Sequence, residues 1–569
     1  MKWITSNDTI IFDPEFNQKL DIELISGFSR LIFSNYKLNQ KLFEYYLGGN
    51  FDYYGDYKSL FNQNVSNLPS SITHLTFGYT FNKDVSKLPS TLIHLTFDNN
   101  FNKDVSKLPP TLTHLIFGNN FNECIFNLPS TLKYLTFGND FNKDISKLPS
   151  SLTHLTFGNN FNQNISRLPI NITHLTFGNN FNKNISRLPI NITHLIFGHS
   201  FDQDISVLPH TLTHLTFGSS FNQDISKLPP SLTHLTFGDK FNQYISKLPP
   251  SLTHLTFGDN FNQDASVLPP FLTNLTFGSR FNQDISKLPQ KITHLTFGYN
   301  FNQDVSKLPQ EITHLTFGSS FNQDVSVLPP FLTHLTFKTK FNQHVPVLPQ
   351  GITHLIFSYN FNKDVSKLPP TLTHLTFGYY FNQDVSKLPP TLTHLTFGYE
   401  FNQDVSKLPN SLTYLIFGYC FNQDISNLPL NLTYLTIVSR IFNQQCVIPP
   451  NVKYLILGTD NSHIINNLPN SIIKLELIYE FNLEINNLPT SIKKLVFSKN
   501  CKYNQDLNCL PNFIEELILN SSFKKRILNI PSNLKKIVCD KEYPYINDFI
   551  NYDVETYTCH QNYLNFSYY

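Results

Sequence analysis

The chain has 569 residues, of which 40% are hydrophobic, 14% aromatic and 15% charged, so it can bury a large core and is not of the disordered class. Its 42 basic and 41 acidic residues leave a net charge of +1, which argues against general nucleic-acid binding, because that needs a basic face against the phosphates. Internal repetition, rather than a set of independent domains, sets the organisation of the chain.

The first 60 residues contain two weak copies of a pattern that later becomes regular. An apolar-x-Phe motif followed by an Asn-Gln pair occurs at residues 10–20, and an apolar-x-Phe motif with the same Asn-Gln pair recurs at residues 31–42. We therefore predict that residues 1–60 form an N-terminal cap of degenerate repeats. The segment lacks the apolar run of a signal peptide, and no stretch of the chain approaches the ~20 apolar residues of a membrane span. An intracellular, cytoplasmic location is expected.

A regular repeat of 20 residues begins at Phe61 and continues to Arg440, as in FNQDVSKLPPTLTHLTFGYE at residues 381–400. The proline at its ninth position keeps this spacing to Pro489 and reappears at Pro511 and Pro531, which gives about 24 repeats. Six positions of each repeat are apolar; in residues 381–400 they are Phe381, Val385, Leu388, Leu392, Leu395 and Phe397.

This spacing fits neither a helix nor a long strand. Only Leu395-x-Phe397 alternates as a strand does, the prolines exclude a long helix before it, and Gly398 allows a sharp turn after it. The second-position Asn is expected to form a buried ladder for turn backbone groups, and the Asp and Lys at positions four and seven to pair on a solvated face. One repeat cannot bury six apolar side chains, whereas stacked repeats with parallel strands can.

The fourteenth position faces away from the core, because the Leu after it faces inward. It is His in fifteen repeats, among them His314, His334, His354, His374 and His394. Such a column could bind a metal, act as a pH-sensitive ladder, bind an acidic partner, or be a structural stack copied with the repeat. A flat column offers two metal ligands at a time, so no metal is predicted. We favour the structural stack and keep the pH-sensitive ladder as a hypothesis.

The later repeats differ from the earlier ones by two columns of tyrosine. The last two positions, mostly Asn, Ser or Asp elsewhere, become Tyr359, Tyr379, Tyr380, Tyr399 and Tyr419, and the fourteenth becomes Tyr414, Tyr434 and Tyr454. Exposed tyrosine is enriched in binding hot spots, so we predict a partner-binding surface here, with the two columns close together near residue 414. Drift in an AT-biased genome is the competing explanation.

Beyond Cys539 the repeat stops and an aromatic tail follows, which includes Tyr543, Tyr545, Phe549, Tyr552, Tyr557, Tyr563 and Phe566. We predict that residues 540–569 form a C-terminal aromatic cap over the last strand edge. The seven cysteines of the chain have no shared spacing and are expected to be reduced thiols.

The pattern L-x-x-L-x-F, an Asn-rich turn and then L-P resembles leucine-rich repeats. More narrowly, F-N-x-x-I/V-x-x-L-P-x-x-L/I-T-H-L-T-F-G resembles the FNIP repeat, over nearly the whole chain. The resemblance implies a mainly β fold with irregular return segments: a leucine-rich-repeat-like solenoid over residues 61–539, with a parallel sheet on its concave face. It also implies an interaction scaffold.

Enzymatic motifs are absent from the sequence, which has no Gly-rich phosphate loop, no nucleophile elbow and no His-Glu zinc motif. We therefore predict a non-enzymatic repeat scaffold without a cofactor, which binds another protein through its concave face and strand-end rim. A structural or surface spacer, and a substrate-recognition adaptor for ubiquitin ligation, are the alternatives. Neither nucleic acid nor a membrane is an expected partner.

Overall fold

The computed structural model describes residues 3–35, 58–345, 347–540, 542–552 and 554–559. The chain divides into two compact halves, Met1–Gln283 and Asp284–Tyr569. Each half is a solenoid in which one turn of the coil contributes one short strand to a parallel sheet. The predicted mainly β, leucine-rich-repeat-like architecture is confirmed in both halves.

The N-terminal half begins with an antiparallel pair and continues as a parallel sheet. Its elements are β1 (Trp3–Ser6), β2 (Thr9–Phe12), α1 (Ile22–Ile25), β3 (Arg30–Phe33), β4 (His74–Thr76), β5 (His94–Thr96), β6 (His114–Ile116), β7 (Tyr134–Thr136), β8 (His154–Thr156), β9 (His174–Thr176), β10 (His194–Ile196), β11 (His214–Thr216), β12 (His234–Thr236), β13 (His254–Thr256) and β14 (Asn274–Thr276). β1 pairs antiparallel with β2, and from β2 onward each strand pairs in parallel with the next.

The C-terminal half is a parallel sheet from its first strand to its last. Its elements are β15 (His294–Thr296), β16 (His314–Thr316), β17 (His334–Thr336), β18 (His354–Ile356), β19 (His374–Thr376), β20 (His394–Thr396), β21 (Tyr414–Phe417), β22 (Tyr434–Ile437), β23 (Tyr454–Leu457), α2 (Ser462–Asn466), β24 (Lys474–Leu477), β25 (Lys494–Phe497), β26 (Glu516–Ile518), β27 (Lys536–Asp540), a 3-10 helix (Ile546–Tyr552) and β28 (Glu555–Cys559). Identical repeat positions lie opposite each other, as His374 does to His394.

The six apolar positions form the core, as predicted. In residues 381–400 none of the six side chains is more than 8% exposed. The phenylalanine at position seventeen stacks on the first phenylalanine of the next repeat: the rings of Phe377 and Phe381 are 3.7 Å apart, and the column continues from Phe381 to Phe401 at 6.1 Å. Burying one such side chain contributes about 1.5–3 kcal/mol, so a repeat gains its stability only where neighbours cover these rings.

The second-position asparagines form the expected ladder, although they are half-buried rather than buried. Oδ1 of Asn382 accepts a hydrogen bond from the backbone N–H of Asn402 at 2.9 Å. The ladder tolerates changes in the spacing of its asparagines, because Asn422 accepts from the N–H of Asn443 across 21 residues and Asn482 accepts from the N–H of Asn504 across 22. Each of these turns therefore has one backbone donor satisfied by the preceding repeat.

The glycine at position eighteen is explained by close approach rather than by a left-handed turn. A Cβ atom on Gly398 would overlap the carbonyl group of Gly378 in the preceding repeat. A turn does follow Gly398, as predicted, but the φ angle of Gly398 does not lie in the left-handed region, so this turn does not require glycine. Glycine is needed here because adjacent backbones touch.

The fourth-position aspartate pairs with a serine instead of the expected lysine. Oδ1 of Asp384 accepts from the backbone N–H of Ser386 at 2.9 Å, and Oδ2 accepts from the serine hydroxyl at 2.9 Å. These hydrogen bonds hold the pKa of the Asp384 carboxyl below its usual range, with smaller contributions from Lys387 and Lys407. The same Asp-Ser turn recurs in most repeats and shapes the surface opposite the sheet.

The described part of the N-terminal segment packs against the first regular repeats. The rings of Phe12 and Phe16 are 4.5 Å apart, and Asn17 continues the ladder by accepting from the N–H of Asn62 at 3.0 Å. The Asn-Gln pair predicted near residue 39 lies outside the described residues. The ring of Phe33 stacks on that of Phe61 at 3.8 Å.

At the other end, β28 covers the edge of β27 by pairing with it in parallel. Tyr543 and Phe549 are buried, and Tyr543 lies 5.9 Å from Phe523 at the end of the aromatic column. Of the other predicted cap residues, Tyr545 contacts Tyr543, whereas the side chains of Tyr552 and Tyr557 and all of residues 560–569 lie outside the described part.

Candidate functional site

The outer face of each sheet carries the side chains of positions fourteen and sixteen. In β19 these are His374 and Thr376, which are half-buried, while Leu375 between them is buried in the core. The short strand therefore presents one ring and one hydroxyl per repeat at a fixed spacing.

The five predicted ladder histidines lie in consecutive strands of the C-terminal half, with their rings stacked. Centroid distances are 4.2 Å from His314 to His334, 4.3 Å from His334 to His354, 4.2 Å from His354 to His374 and 4.2 Å from His374 to His394, with interplanar angles of 11 or 12°. The structure thus brings all five together in a continuous imidazole stack.

A threonine at position thirteen holds each of these rings, a contact that sequence analysis missed. The hydroxyl oxygen of Thr333 lies 2.9 Å from Nδ1 of His334, and the same distance separates Thr393 from His394. The hydroxyl also donates to the position-thirteen carbonyl of the preceding repeat, as Thr333 does to Thr313 at 3.0 Å. The recurring Thr-His pair was the only sequence signal for this contact.

Burial and mutual repulsion favour the neutral form of four of these rings. Desolvation lowers the pKa of His314, His334, His374 and His394, and nearby imidazoles of the stack lower it further. The folded chain therefore resists protonation of these rings at a pH where a free imidazole already titrates.

Tyrosines then replace histidine in the same column. Tyr414 lies 5.3 Å from His394 and stacks on Tyr434 at 4.2 Å, and Tyr454 lies opposite Tyr434 in the next strand. Burial, followed by the neighbouring Tyr434, raises the pKa of Tyr414 to about 12. Beyond Tyr454 the column becomes charged: Lys474 contacts the buried Glu476 at 2.8 Å.

A second stack lies in the turns that follow the strands. We call Tyr359, Tyr379, Tyr399 and Tyr419 the tyrosine rim. Successive rings are 4.7, 4.5 and 4.8 Å apart. Tyr380 stands edge-on to Tyr359 and Tyr379, at interplanar angles of 89 and 69°. Tyr359 and Tyr380 are exposed and the other three rim rings are half-exposed.

Arg440 lies at the end of the tyrosine rim, and this contact was not predicted from the sequence. Its guanidinium carbon lies 5.6 Å from the ring of Tyr419 and 5.9 Å from that of Tyr479, within reach of a cation–π contact. Arg440 also pairs with Glu480 at 3.4 Å, and Glu480 pairs with Lys502 at 2.8 Å. An aromatic row thus passes into a charged cluster.

The two tyrosine columns form separate stacks. Among the described residues no ring contact joins the rim to the column of Tyr414, Tyr434 and Tyr454, so the predicted overlap near residue 414 is not a direct contact. Within the same described ranges there is no group of three or more His, Cys, Asp or Glu side chains able to hold a metal ion. No helix in that part of the chain is long and apolar enough to cross a membrane.

Comparison with known proteins agrees with the repeat solenoid described above. The family model described as FNIP Repeat matches the chain in successive segments from residue 61 to residue 480. No curated protein matches. The crystal structure of CroV588, described as a novel circular LRR protein structure, is 38% identical and covers 95% of this chain and 90% of its own, with a TM-score of 0.76.

YopM from Yersinia enterocolitica WA-314 is 20% identical, with a TM-score of 0.34, and the alignment covers 84% of this chain and 91% of YopM. The repeat sequence, the one-strand-per-repeat coil and the family match over most of its length lead to one conclusion: the chain belongs to the FNIP repeat family, with a solenoid of the leucine-rich-repeat type.

Proposed function

We propose that the protein is a non-enzymatic scaffold that binds another protein through the tyrosine rim and the adjoining outer sheet face of the C-terminal half. The observation that carries the proposal is the rim itself. Four consecutive repeats place a tyrosine where most repeats have Asn, Ser or Asp, and the rings form one stack.

The rim has the chemistry of a protein-binding surface. Tyrosine offers a large rigid contact area at low cost in side-chain entropy, together with a hydroxyl that can hydrogen-bond. Within the stack the ring faces cover each other, so the edges and hydroxyls form the surface that a partner meets. Tyr380 widens this surface at one end, and Arg440 with Glu480 supplies charge at the other.

The outer sheet face adds a second row. Tyr414, Tyr434 and Tyr454 project from β21 to β23, and the exposed Ile356 lies on the same face of β18. A partner segment that crosses from the turns onto the sheet would bury both rows. Hot-spot aromatics near the centre of such a contact are expected to carry most of the binding energy.

The test is a quantitative capture experiment from native cells with the full chain as bait. The variant carries Tyr379→Asn, Tyr399→Asn and Tyr419→Asn, because Asn occupies this position in other repeats, as at Asn119. Tyr299→Asn is the matched control: it removes an exposed tyrosine from the same repeat position, in a repeat that lies outside the rim.

We expect at least one protein to be captured equally by the wild type and the control and about tenfold less by the rim variant, which corresponds to a loss of about 1.4 kcal/mol. Equal capture by all three would exclude the rim as the binding surface. No specific capture by the wild type, with folding intact by circular dichroism, would favour the spacer role instead.

A further inference from the structure

Two adjacent repeats of the N-terminal half, residues 161–180 and 181–200, differ from their neighbours on the surface opposite the sheet. A surface pocket of about 510 Å³ lies between them. It is lined by Asn164, Ile165, Ser166, Lys183, Asn184, Ser186 and Arg187. Apart from the buried Ile165, every lining residue is exposed and can donate a hydrogen bond from its side chain.

In the pocket, the recurring turn at position four has a hydrogen-bond donor where other repeats have an acceptor. In the preceding repeat the two carboxylate oxygens of Asp144 accept from the backbone N–H and the hydroxyl of Ser146. Asn164 and Asn184 keep the first of these bonds, because Oδ1 accepts from the serine two residues on at 2.8 Å. The second oxygen is replaced by an NH2 group, which only donates.

The same change removes the negative charge that faces the cations. In a regular repeat the aspartate interacts with the position-seven cation of its own repeat and of the next, as Asp84 does with Lys87 and Lys107. By this geometry Arg187 lies between positions 184 and 164, and both are asparagine. Lys183, where most repeats have Gln, adds a second cation. None of the ion pairs formed by the described residues involves Lys183 or Arg187.

We propose that this pocket binds a tetrahedral oxyanion, the phosphate or sulfate group of a small ligand. Two cations, two amide NH2 groups and two serine hydroxyls surround it, and no carboxylate lines it. Arginine recognises such groups through its planar fork of donors, and charge-assisted hydrogen bonds are the stronger class. The pocket is larger than a bare phosphate ion, which leaves room for the group that carries the oxyanion.

A small ligand suits the surface better than a polyanion does. The chain as a whole has a net charge of +1, and the regular repeats before and after this pair carry Asp144 and Asp204 at position four. The cations are therefore confined to one pocket instead of following a phosphate backbone over many repeats.

The N-terminal half also contains a natural comparison. Asn64 forms the same turn, with Oδ1 accepting from the N–H of Ser66 at 2.8 Å, and the next repeat supplies Lys83 and Lys87. There, however, Asp84 stands where the pocket has Asn184, so a carboxylate accompanies the two cations. A substitution at Asn64 therefore tests whether an asparagine turn outside the pocket affects binding.

The experiment is isothermal titration of the full chain, produced in bacteria so that the asparagines stay unmodified, with inorganic phosphate and with sulfate at constant ionic strength set by chloride. The variants are Asn164→Asp with Asn184→Asp, which restores the regular turn, and Arg187→Gln. Asn64→Asp is the control. All three are expected to fold, because the regular repeats already contain Asp at this position and the arginine is exposed.

We expect saturable binding of phosphate or sulfate, an affinity loss of about tenfold or more in the double Asp variant and in Arg187→Gln, and no change in the control. A glycerol phosphate that binds more tightly than inorganic phosphate would identify a phosphorylated small molecule as the ligand, and equal affinity would identify the free ion. Wild-type heats no larger with phosphate and sulfate than with chloride would overturn the proposal. So would unchanged binding in the double variant, or binding of single-stranded RNA or anionic vesicles alone.

Discussion

The hydroxyl oxygen of Thr373 lies 2.9 Å from Nδ1 of His374 and 3.1 Å from the carbonyl oxygen of Thr353. A hydroxyl has one hydrogen and a carbonyl can only accept, so both contacts are satisfied when the ring donates from Nδ1 and the hydroxyl donates to the carbonyl. The neutral ring then protonates at Nε2. Protonation leaves this hydrogen-bond network intact, and its cost comes from burial and from the stacked neighbours.

Acid is therefore expected to destabilise the fold through the histidine stack. Because the folded pKa values are lowered, the unfolded chain binds protons first, near pH 6.5, and stability that is complete above this pH decreases as the pH falls toward the folded values. The aspartates of the Asp-Ser turns also have lowered pKa values, so their contribution is lost only at lower pH, below about 3.8. The melting temperature should thus drop between pH 7.5 and 5.

The variant that checks this prediction carries His314→Asn, His334→Asn and His374→Asn. Asparagine is a natural occupant of the position, since Asn274 accepts from the hydroxyl of Thr273 at 2.9 Å. The melting temperature of the variant should fall less than that of the wild type over the same pH interval. An identical drop in both proteins would assign the acid sensitivity to other groups.

Removing one member of the asparagine ladder should loosen the turn of the next repeat. Asn382→Ala leaves the backbone N–H of Asn402 without its acceptor, which costs about 1–3 kcal/mol for a buried donor and less for a half-buried one. Hydrogen exchange at Asn402 should become faster and the urea midpoint should fall. Asn382→Asp should behave like the wild type, because Asp202 accepts from the N–H of Asn222 in the same way. Unchanged exchange in the Ala variant would show that the ladder bond is dispensable.

Gly398→Ala should destabilise the C-terminal half by several kcal/mol, because its Cβ atom would overlap the backbone of Gly378 and force two repeats apart. Gly351→Ala is the control, since the nearest atom to its added Cβ is 3.4 Å away. Circular dichroism in urea measures both. Similar midpoints for the two variants would contradict the close-approach explanation.

Arg440→Gln should loosen the end of the tyrosine rim. Loss of the cation above Tyr419 and Tyr479 is expected to cost about 0.5–1 kcal/mol, seen as faster hydrogen exchange in both turns. Lys291→Gln is the matched control, because it breaks an exposed ion pair, with Glu311 at 2.9 Å, without touching a ring. If Lys291→Gln accelerates hydrogen exchange around Lys291 and Glu311 as strongly, the effect of Arg440→Gln is caused by loss of the ion pair with Glu480 and not by loss of the cation–π contacts.

The repeat spacing was sufficient to predict the core, because each of the six apolar positions keeps a similar environment from one described repeat to the next. Phe381 and Leu395 are buried where the pattern placed them. The parallel register followed from the same argument, since stacking identical repeats puts like residues opposite each other. The stacking of the ladder histidines and of the rim tyrosines also follows from that register.

The contacts that were not predicted depend on which atoms of neighbouring side chains meet, and the repeat spacing does not specify this. The recurring Thr-His pair does not by itself show whether the hydroxyl contacts His374 or faces water, and Asp384 could equally have paired with Lys387 as with Ser386. Arg440 lies where one extra residue, Ile441, precedes Phe442 and interrupts the repeat. Its place against Tyr419 follows from the path of that irregular turn, which spacing alone does not give.

The asparagine ladder has a consequence for how this chain can change over generations. Asn422 meets Asn443 and Asn482 meets Asn504 although the intervening segments are one and two residues longer than the usual 20. The extra residues lie before the asparagine in both cases. The strands around Asn443 remain 20 residues apart, as Tyr434 and Tyr454 are, whereas those around Asn504 pair 22 residues apart, as Lys494 and Glu516 do. A small insertion is thus absorbed within a single turn instead of shifting everything downstream. An insertion in one repeat affects only that repeat. Each repeat can therefore acquire its own surface residues while the neighbouring repeats keep their packing.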